Sequence, residues 1–496
     1  MQPVVQAVLR SWSIPPVATF ALVLTALTYL RGCWLLRRAG YPYLPPWRIG
    51  SFAFGLFSLW FALASPLDTF SPFVLTAHML QHMMLMMVAP PLILLGEPLI
   101  PIVRGMPRFA AREFAGPFLN WRVAKQIGLA LTNPAVALLL MGTAMFAWHV
   151  PRLYELALSS SAWHQVEHAC FFLASLIFWW PVVQPWPSRA QWPRWAMVPY
   201  LLIADLQNTV LSAALVFSDR VLYPSYAAGP SLFGYPPLED QAAAGAIMWV
   251  VGSLVFILPA ILIAVQVLSR RRTDRAIPTS RPDEFPVVDR IVSGSSISSV
   301  PGGGFRKRFT TPTIEAISFL VVFALVAAGF VTLSRSTPDD DDQVLRLSQQ
   351  VGPFAIAVYG PAGEIRVGSA TFAVLAQENA SHEILLDSDV EFTIQKANDA
   401  STSPEQVRGS ASDTNKLLFT GEVDVGSEGP WVLDVAIRHA SGSGAVSLPV
   451  EVVRPERGSD YTWSYIVVLV AAAVLCLVYG WRHRIRNAAR LAAPLA

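Results

Sequence analysis

His78 and His82 stand four residues apart in the apolar run TAHMLQHMMLMMVAPPLILLGEP at 76–98, and His164 and His168 repeat that spacing in a second apolar run. Four residues make about one helical turn, so each pair sets both imidazoles on one face of a helix. Imidazole ligates copper, zinc and iron alike, and ionisable groups inside a membrane are costly enough to mark functional sites. Met79, Met83 and Met86 share the helix face of His78 and His82, with Met84 and Met87 beside them. Thioether sulfur next to imidazole favours monovalent copper. Methionine also fills apolar interfaces, so sulfur is the weaker half of that argument. The pattern predicts a metal centre on His78, His82, His149, His164 and His168, with Met79, Met83, Met86, Asp240 and Gln241 as secondary candidates.

The elements that must position these residues follow from composition. Hydrophobic residues make up 53% of the 496, charged residues 14%, and mean hydropathy is +0.46. A polytopic α-helical membrane protein is the class that fits. Apolar stretches of spanning length, about 20 residues, occur near 16–36, 50–66, 74–96, 132–150, 162–182, 196–218, 241–268, 313–334 and 462–481. They form a seven-helix bundle plus two further transmembrane helices. A net charge of +2 argues for neither nucleic acid nor an acidic partner. Cys33, Cys170 and Cys476 lie singly in separate apolar runs, which leaves no disulfide framework and no CxxC metal site. No basic leader with a cleavage site precedes the first span, so no removable signal peptide is expected.

Basic residues in short loops orient the spans. Arg31, Arg37, Arg38 and Arg48 join spans one and two; Arg104, Arg108, Arg112, Arg122 and Lys125 join three and four; Arg189 and Arg194 join five and six. These loops are predicted to be cytoplasmic. The alternate connections carry Asp68, then Glu155 and Glu167, then Asp219, Glu239 and Asp240. The N-terminus is therefore expected outside, the C-terminus in the cytoplasm, and the histidines near the outer surface.

The expected organisation is a seven-helix domain at 1–270, a flexible cytoplasmic linker at 271–312, and an eighth span at 313–335. An extracytoplasmic β-sandwich at 336–460, a ninth span at 461–481 and a cytoplasmic tail at 482–496 follow. Alternating segments at 354–361, 364–376, 390–395, 416–425, 431–439 and 445–453 supply the strands. Asp205 stands in the sixth span, where a buried carboxylate must be protonated, paired or part of an ion path. Asp240 could accept from a ligand imidazole and fix its tautomer. Trp148, Tyr154, Trp163, Trp179 and Trp180 read as interfacial belts rather than a site. With no nucleophile–base pair and no Gly-rich phosphate loop, the chain is expected not to be an enzyme.

Several motifs in order carry a resemblance: HMLQH at 78–82 with APPLILLGEP at 89–98, WHVPRLYELAL at 148–158, HxxEH at 164–168, FWWPVV at 178–183 and DQAAAGAIMWVVG at 240–252. Over about residues 15–270 the chain resembles the CtaG family of seven-helix cytochrome c oxidase assembly proteins. That resemblance implies a part in maturing the terminal oxidase of a bacterial plasma membrane, by copper delivery or insertion, with oxidase subunits or extracytoplasmic copper chaperones as partners. It carries the family's histidine positions onto His78, His82, His149, His164 and His168. The chain departs from the pattern at Asp240-Gln241-Ala242, where the family often has a second glutamine. Segments 358–377 and 429–439 are similar to YtkA-like β-sandwiches, but this domain offers only His382 and His439 and no methionine. Two other readings of the residues are a copper transporter or resistance protein and a haem-binding membrane redox protein. A transporter needs polar or sulfur groups continuing to the cytoplasmic end, where the third span reads APPLILLG.

Overall fold

The computed structural model describes Val8 and residues 11–40, 45–188, 190–229, 232–273, 343–397, 403–412 and 415–454. The expected spans at 313–335 and 461–481, the linker beyond Thr273 and the tail at 482–496 lie outside the described residues.

Proline begins most of the helices, as expected for a residue whose missing N–H costs nothing in the first turn. It stands in the first turn of α1 (Pro16–Arg38), α2 (Pro46–Ala64) and α3 (Pro66–Phe70). The third span is built from α4 (Leu75–Met83), a π-helical turn (Met84–Val88) and α5 (Ala89–Leu95), and α6 (Leu99–Gly105) follows. Next come α7 (Arg122–Leu131) and α8 (Pro134–Trp148), bent by 69° at a break where Asn133 caps α8 through Ala135 N. After α9 (Pro151–Ser159), the longer helices are α10 (Ser161–Val183) and α11 (Met197–Val216). The short α12 (Pro224–Ala228) precedes α13 (Pro237–Thr273). Among the described residues six helices are long and apolar enough to cross a membrane, and the bent pair α7–α8 makes up to seven. The protein is a polytopic helical membrane protein.

The π turn has a local cause. Pro90 has no N–H to give the Met86 carbonyl, and its ring would collide with that carbonyl in a regular helix. The helix widens there, and the Met86 carbonyl is taken up by Ser175 Oγ and by Trp179 Nε1 (3.1 Å), both on α10. Such a widened turn is common at functional sites. Here it ties the two histidine-bearing helices together one turn below His82.

The C-terminal domain is a β-sandwich of two five-stranded sheets, ordered β1-β2-β4-β8-β7 and β3-β10-β9-β5-β6. Its strands are β1 (Gln343–Val351), β2 (Phe354–Pro361), β3 (Ile365–Arg366), β4 (Gly368–Glu378) and β5 (Asp389–Lys396), then β6 (Glu405–Arg408), β7 (Ser410–Ala411), β8 (Phe419–Val425), β9 (Gly429–His439) and β10 (Gly442–Val453). The alternating sequence located the central strands. It missed β1, β6 and β7, which lie at sheet edges, where polar side chains remove the alternation signal. Strands β2 and β4 are buried on both faces. Phe354, Ile356, Val358, Phe372 and Val374 fill the sandwich core. On the opposite face, Ala357 and Leu375 join Ile384 and Leu417 against Phe70 and Leu232 of the helical part. Asn415 Nδ2 also donates to Thr69 O at 3.0 Å. The sandwich thus sits at the end of the bundle where α4 begins, three residues before His78.

Candidate metal centre

Two helices supply four imidazoles. The ligand atoms of His78, His82, His164 and His168 all lie within 4.8 Å of one another. The rings form two rungs between the helices, His78 facing His164 with centroids 5.2 Å apart and His82 facing His168 at 5.4 Å. His78, Glu167 and His82 are at most 3% exposed, while His164 is half-buried. His149, just past the end of α8, joins them as a buried neighbour, its ring 6.3 Å from that of Phe171, which itself packs 4.7 Å from His82.

Hydrogen bonds assign the faces of two imidazoles. Tyr226 Oη donates its single proton to Ser71 O at 2.8 Å, because a carbonyl only accepts. Its oxygen then accepts from His78 Nδ1 and from Tyr154 Oη, each 3.1 Å away. His78 accordingly carries its proton on Nδ1 and presents the lone pair of Nε2, 2.9 Å from His82 Nε2. His149 donates from Nδ1 to Met145 O at 2.7 Å, which frees Nε2 in the same way. Burial pushes the phenols of Tyr226 and Tyr154 well above their ordinary range, so both remain neutral donors. A carbonyl or phenol behind each imidazole is the usual means of orienting a metal ligand.

What the centre lacks is as informative. Nε2 of His149, His164 and His168 and both carboxylate oxygens of Glu167 are buried without a hydrogen-bond partner among the described residues. So many orphaned polar atoms in one place would be expensive unless an ion joins them. The site therefore fits a metal ion on the chemistry of its donors.

Three sequence expectations need revision. Asp240 does not face an imidazole: its carboxylate accepts from Leu75 N (2.6 Å) and Thr76 N (3.2 Å), capping α4. Gln241 is spent on Leu222 N, Leu215 O and Arg220 O. Met79, Met83 and Met86 belong to the apolar core with Leu75, Phe171 and Phe178. Nor are all the aromatic residues read as belts on the protein surface. Tyr154 is buried against the site, 5.1 Å from the His78 ring and stacked on Tyr223 at 3.9 Å, and Trp148 and Trp179 are buried too; Trp163 is exposed. Two site residues were missed. Glu167, counted with the outer loop charges, is 0% exposed. The HxxEH spacing could have revealed it, since Glu167 follows His164 by three residues on the same helix face. Tyr226 lies on α12, far along the chain, and carries no local signal.

The chain is 22% identical over 262 residues to an uncharacterized protein of Mycobacterium leprae, an overlap of 52% of this chain and 39% of the relative. It is 24% identical over 299 residues to uncharacterized proteins of Mycobacterium bovis and Mycobacterium tuberculosis, covering 58% of this chain and 43% of each. It spans about two fifths of the length of these curated relatives. The sequence pattern of the cytochrome c oxidase caa3 assembly factor family matches residues 27–270, the stretch that contains all five clustered histidines, both tyrosines and Glu167. The helical domain of this protein belongs to the cytochrome c oxidase caa3 assembly factor family.

Proposed function

We propose that the protein acts in cytochrome c oxidase assembly by binding copper at the histidine centre, at the extracytoplasmic side of the plasma membrane, and passing it to an oxidase subunit or a partner chaperone. The observation that carries this reading is the convergence of four imidazoles within 4.8 Å, from two helices, with orphaned buried polar atoms around them. In it, His78, His82, His164 and His168 hold the ion with His149 alongside, and Tyr226 and the Met145 carbonyl orient two of the rings. Phe171 and Tyr154 keep water out. Copper bound there would be the cargo of the assembly step.

The side of the membrane is inferred from the loop charges, which favour an outer N-terminus. The β-sandwich is seated at the histidine end, as an outer position for both requires. Haem suits this geometry poorly. Neighbouring imidazole rings lie 4.1–5.4 Å apart from centre to centre, which leaves no flat slot for a porphyrin.

The test joins elemental analysis to function. Purified wild-type protein should contain copper, and the double variant His78→Ala/His168→Ala should contain none while still reaching the membrane. Cells carrying the double variant should lose oxidase activity when copper is limiting. Normal oxidase activity in those cells would sink the assignment.

A further inference from the structure

Glu167 stands apart from every other carboxylate among the described residues. It is fully buried within the imidazole cluster, and no hydrogen-bond donor reaches either oxygen. Oε2 lies 3.8 Å from His78 Nε2, and Oε1 lies 3.8 Å from His82 Nε2. These separations are too long for hydrogen bonds. They are within reach of two donors sharing one ion, since metal–nitrogen and metal–oxygen bonds of about 2.0–2.2 Å span up to about 4 Å end to end. The 2.9 Å between His78 Nε2 and His82 Nε2 is likewise met by two nitrogens on one ion at nearly a right angle.

We propose that Glu167 is the anionic ligand of this centre and that it tunes the centre to copper(II) in preference to copper(I). The proposal rests on the metal-binding reading above. Carboxylate oxygen is a hard donor, and in an imidazole set it favours divalent first-row ions, among which copper(II) binds most strongly. Monovalent copper is selected by soft sulfur, and the methionines of α4 are packed into the apolar core. The hardness of this one side chain therefore replaces the thioethers as the guide to oxidation state. Placement on α10 between His164 and His168 brings one carboxylate oxygen to each histidine of α4, so Glu167 links the two helices through the ion.

The full-length protein in detergent would be titrated separately with copper(II) and, anaerobically, with copper(I), each against a chromophoric chelator. Electron paramagnetic resonance would then be recorded on the copper(II) form. The wild type should bind copper(II) with a nitrogen-rich spectrum. Glu167→Gln, nearly the same shape without the charge, should lose about 10–100-fold in copper(II) affinity while copper(I) affinity changes less than about threefold. Glu167→Asp, which keeps the charge, should recover most of the copper(II) binding. Retained copper(I) binding shows that the Gln variant is folded. Equal losses for both ions, or no loss for either, overturn the role of Glu167 and leave the metal centre standing. A wild type that takes only copper(I) overturns the preference alone. A folded wild type that binds neither ion overturns the proposed function as well.

Discussion

The two histidine pairs share a spacing but not a surrounding. On α4, His78 is held by a chain running through Tyr226 to the Ser71 carbonyl, the helix start is capped by Asp240, and the Met86 carbonyl below is clamped by Ser175 and Trp179. On α10, His164 and His168 have unpartnered Nε2 atoms, and His164 is half-buried. His78 is preorganised, whereas His82, whose Nδ1 has no partner, and both imidazoles of α10 are left to adjust. Under the proposed function such a division would serve both binding and release, because a fully rigid ligand set cannot open and a fully mobile one binds weakly.

That contrast can be broken from the α4 side first. His82→Ala removes the imidazole that meets His78, His168 and Glu167, so metal affinity by chelator competition should fall by more than the roughly 10–100-fold typical of losing a supporting partner. Tyr226→Phe should come next, within that 10–100-fold range, because it frees the His78 ring and leaves the Ser71 carbonyl and Tyr154 hydroxyl unpaired. Its thermal midpoint in detergent should drop as well. On the adjustable side His164→Ala should cost only about tenfold in affinity, the low end of the same range, with little change in thermal midpoint. A loss as large as that of His82→Ala would show the two pairs to be equivalent. The smallest effect is expected for Asp240→Ala, which should lower stability by about 1 kcal/mol through the lost cap while copper affinity is nearly unchanged. A large affinity loss there would instead return Asp240 to the ligand set.

The sandwich and the bundle make a second contrast. The bundle buries its polar centre inside, whereas the sandwich is apolar on both faces of one sheet and polar at its edges. Ala357 and Leu375 point away from the sandwich core yet are fully buried, because Phe70, Leu232 and Leu417 cover them. The unusually apolar runs FAIAV and TFAVLA reflect that second covered face. Alternation alone marks them as strands. It does not say what lies beyond.

Local pattern carried much of this protein into view. Hydropathy located the six described helices of spanning length to within a few residues, since a helix that crosses lipid must be apolar along its whole length. Of the bent pair α7–α8 it located α8 alone. The HxxxH spacing put each imidazole pair on one face because helical periodicity is a property of neighbouring residues. The tertiary structure decided the rest. It turned Asp240 and Gln241 to backbone groups, sent the methionines into the core, and brought Tyr226 and the Ser71 carbonyl behind His78. It also placed Glu167 between imidazoles of another helix. Those outcomes depend on contacts across tens to more than a hundred residues of chain, such as Ser71 with Tyr226 and Leu75 with Asp240. No periodicity reports such contacts, because they are set by how the helices pack rather than by what each helix is.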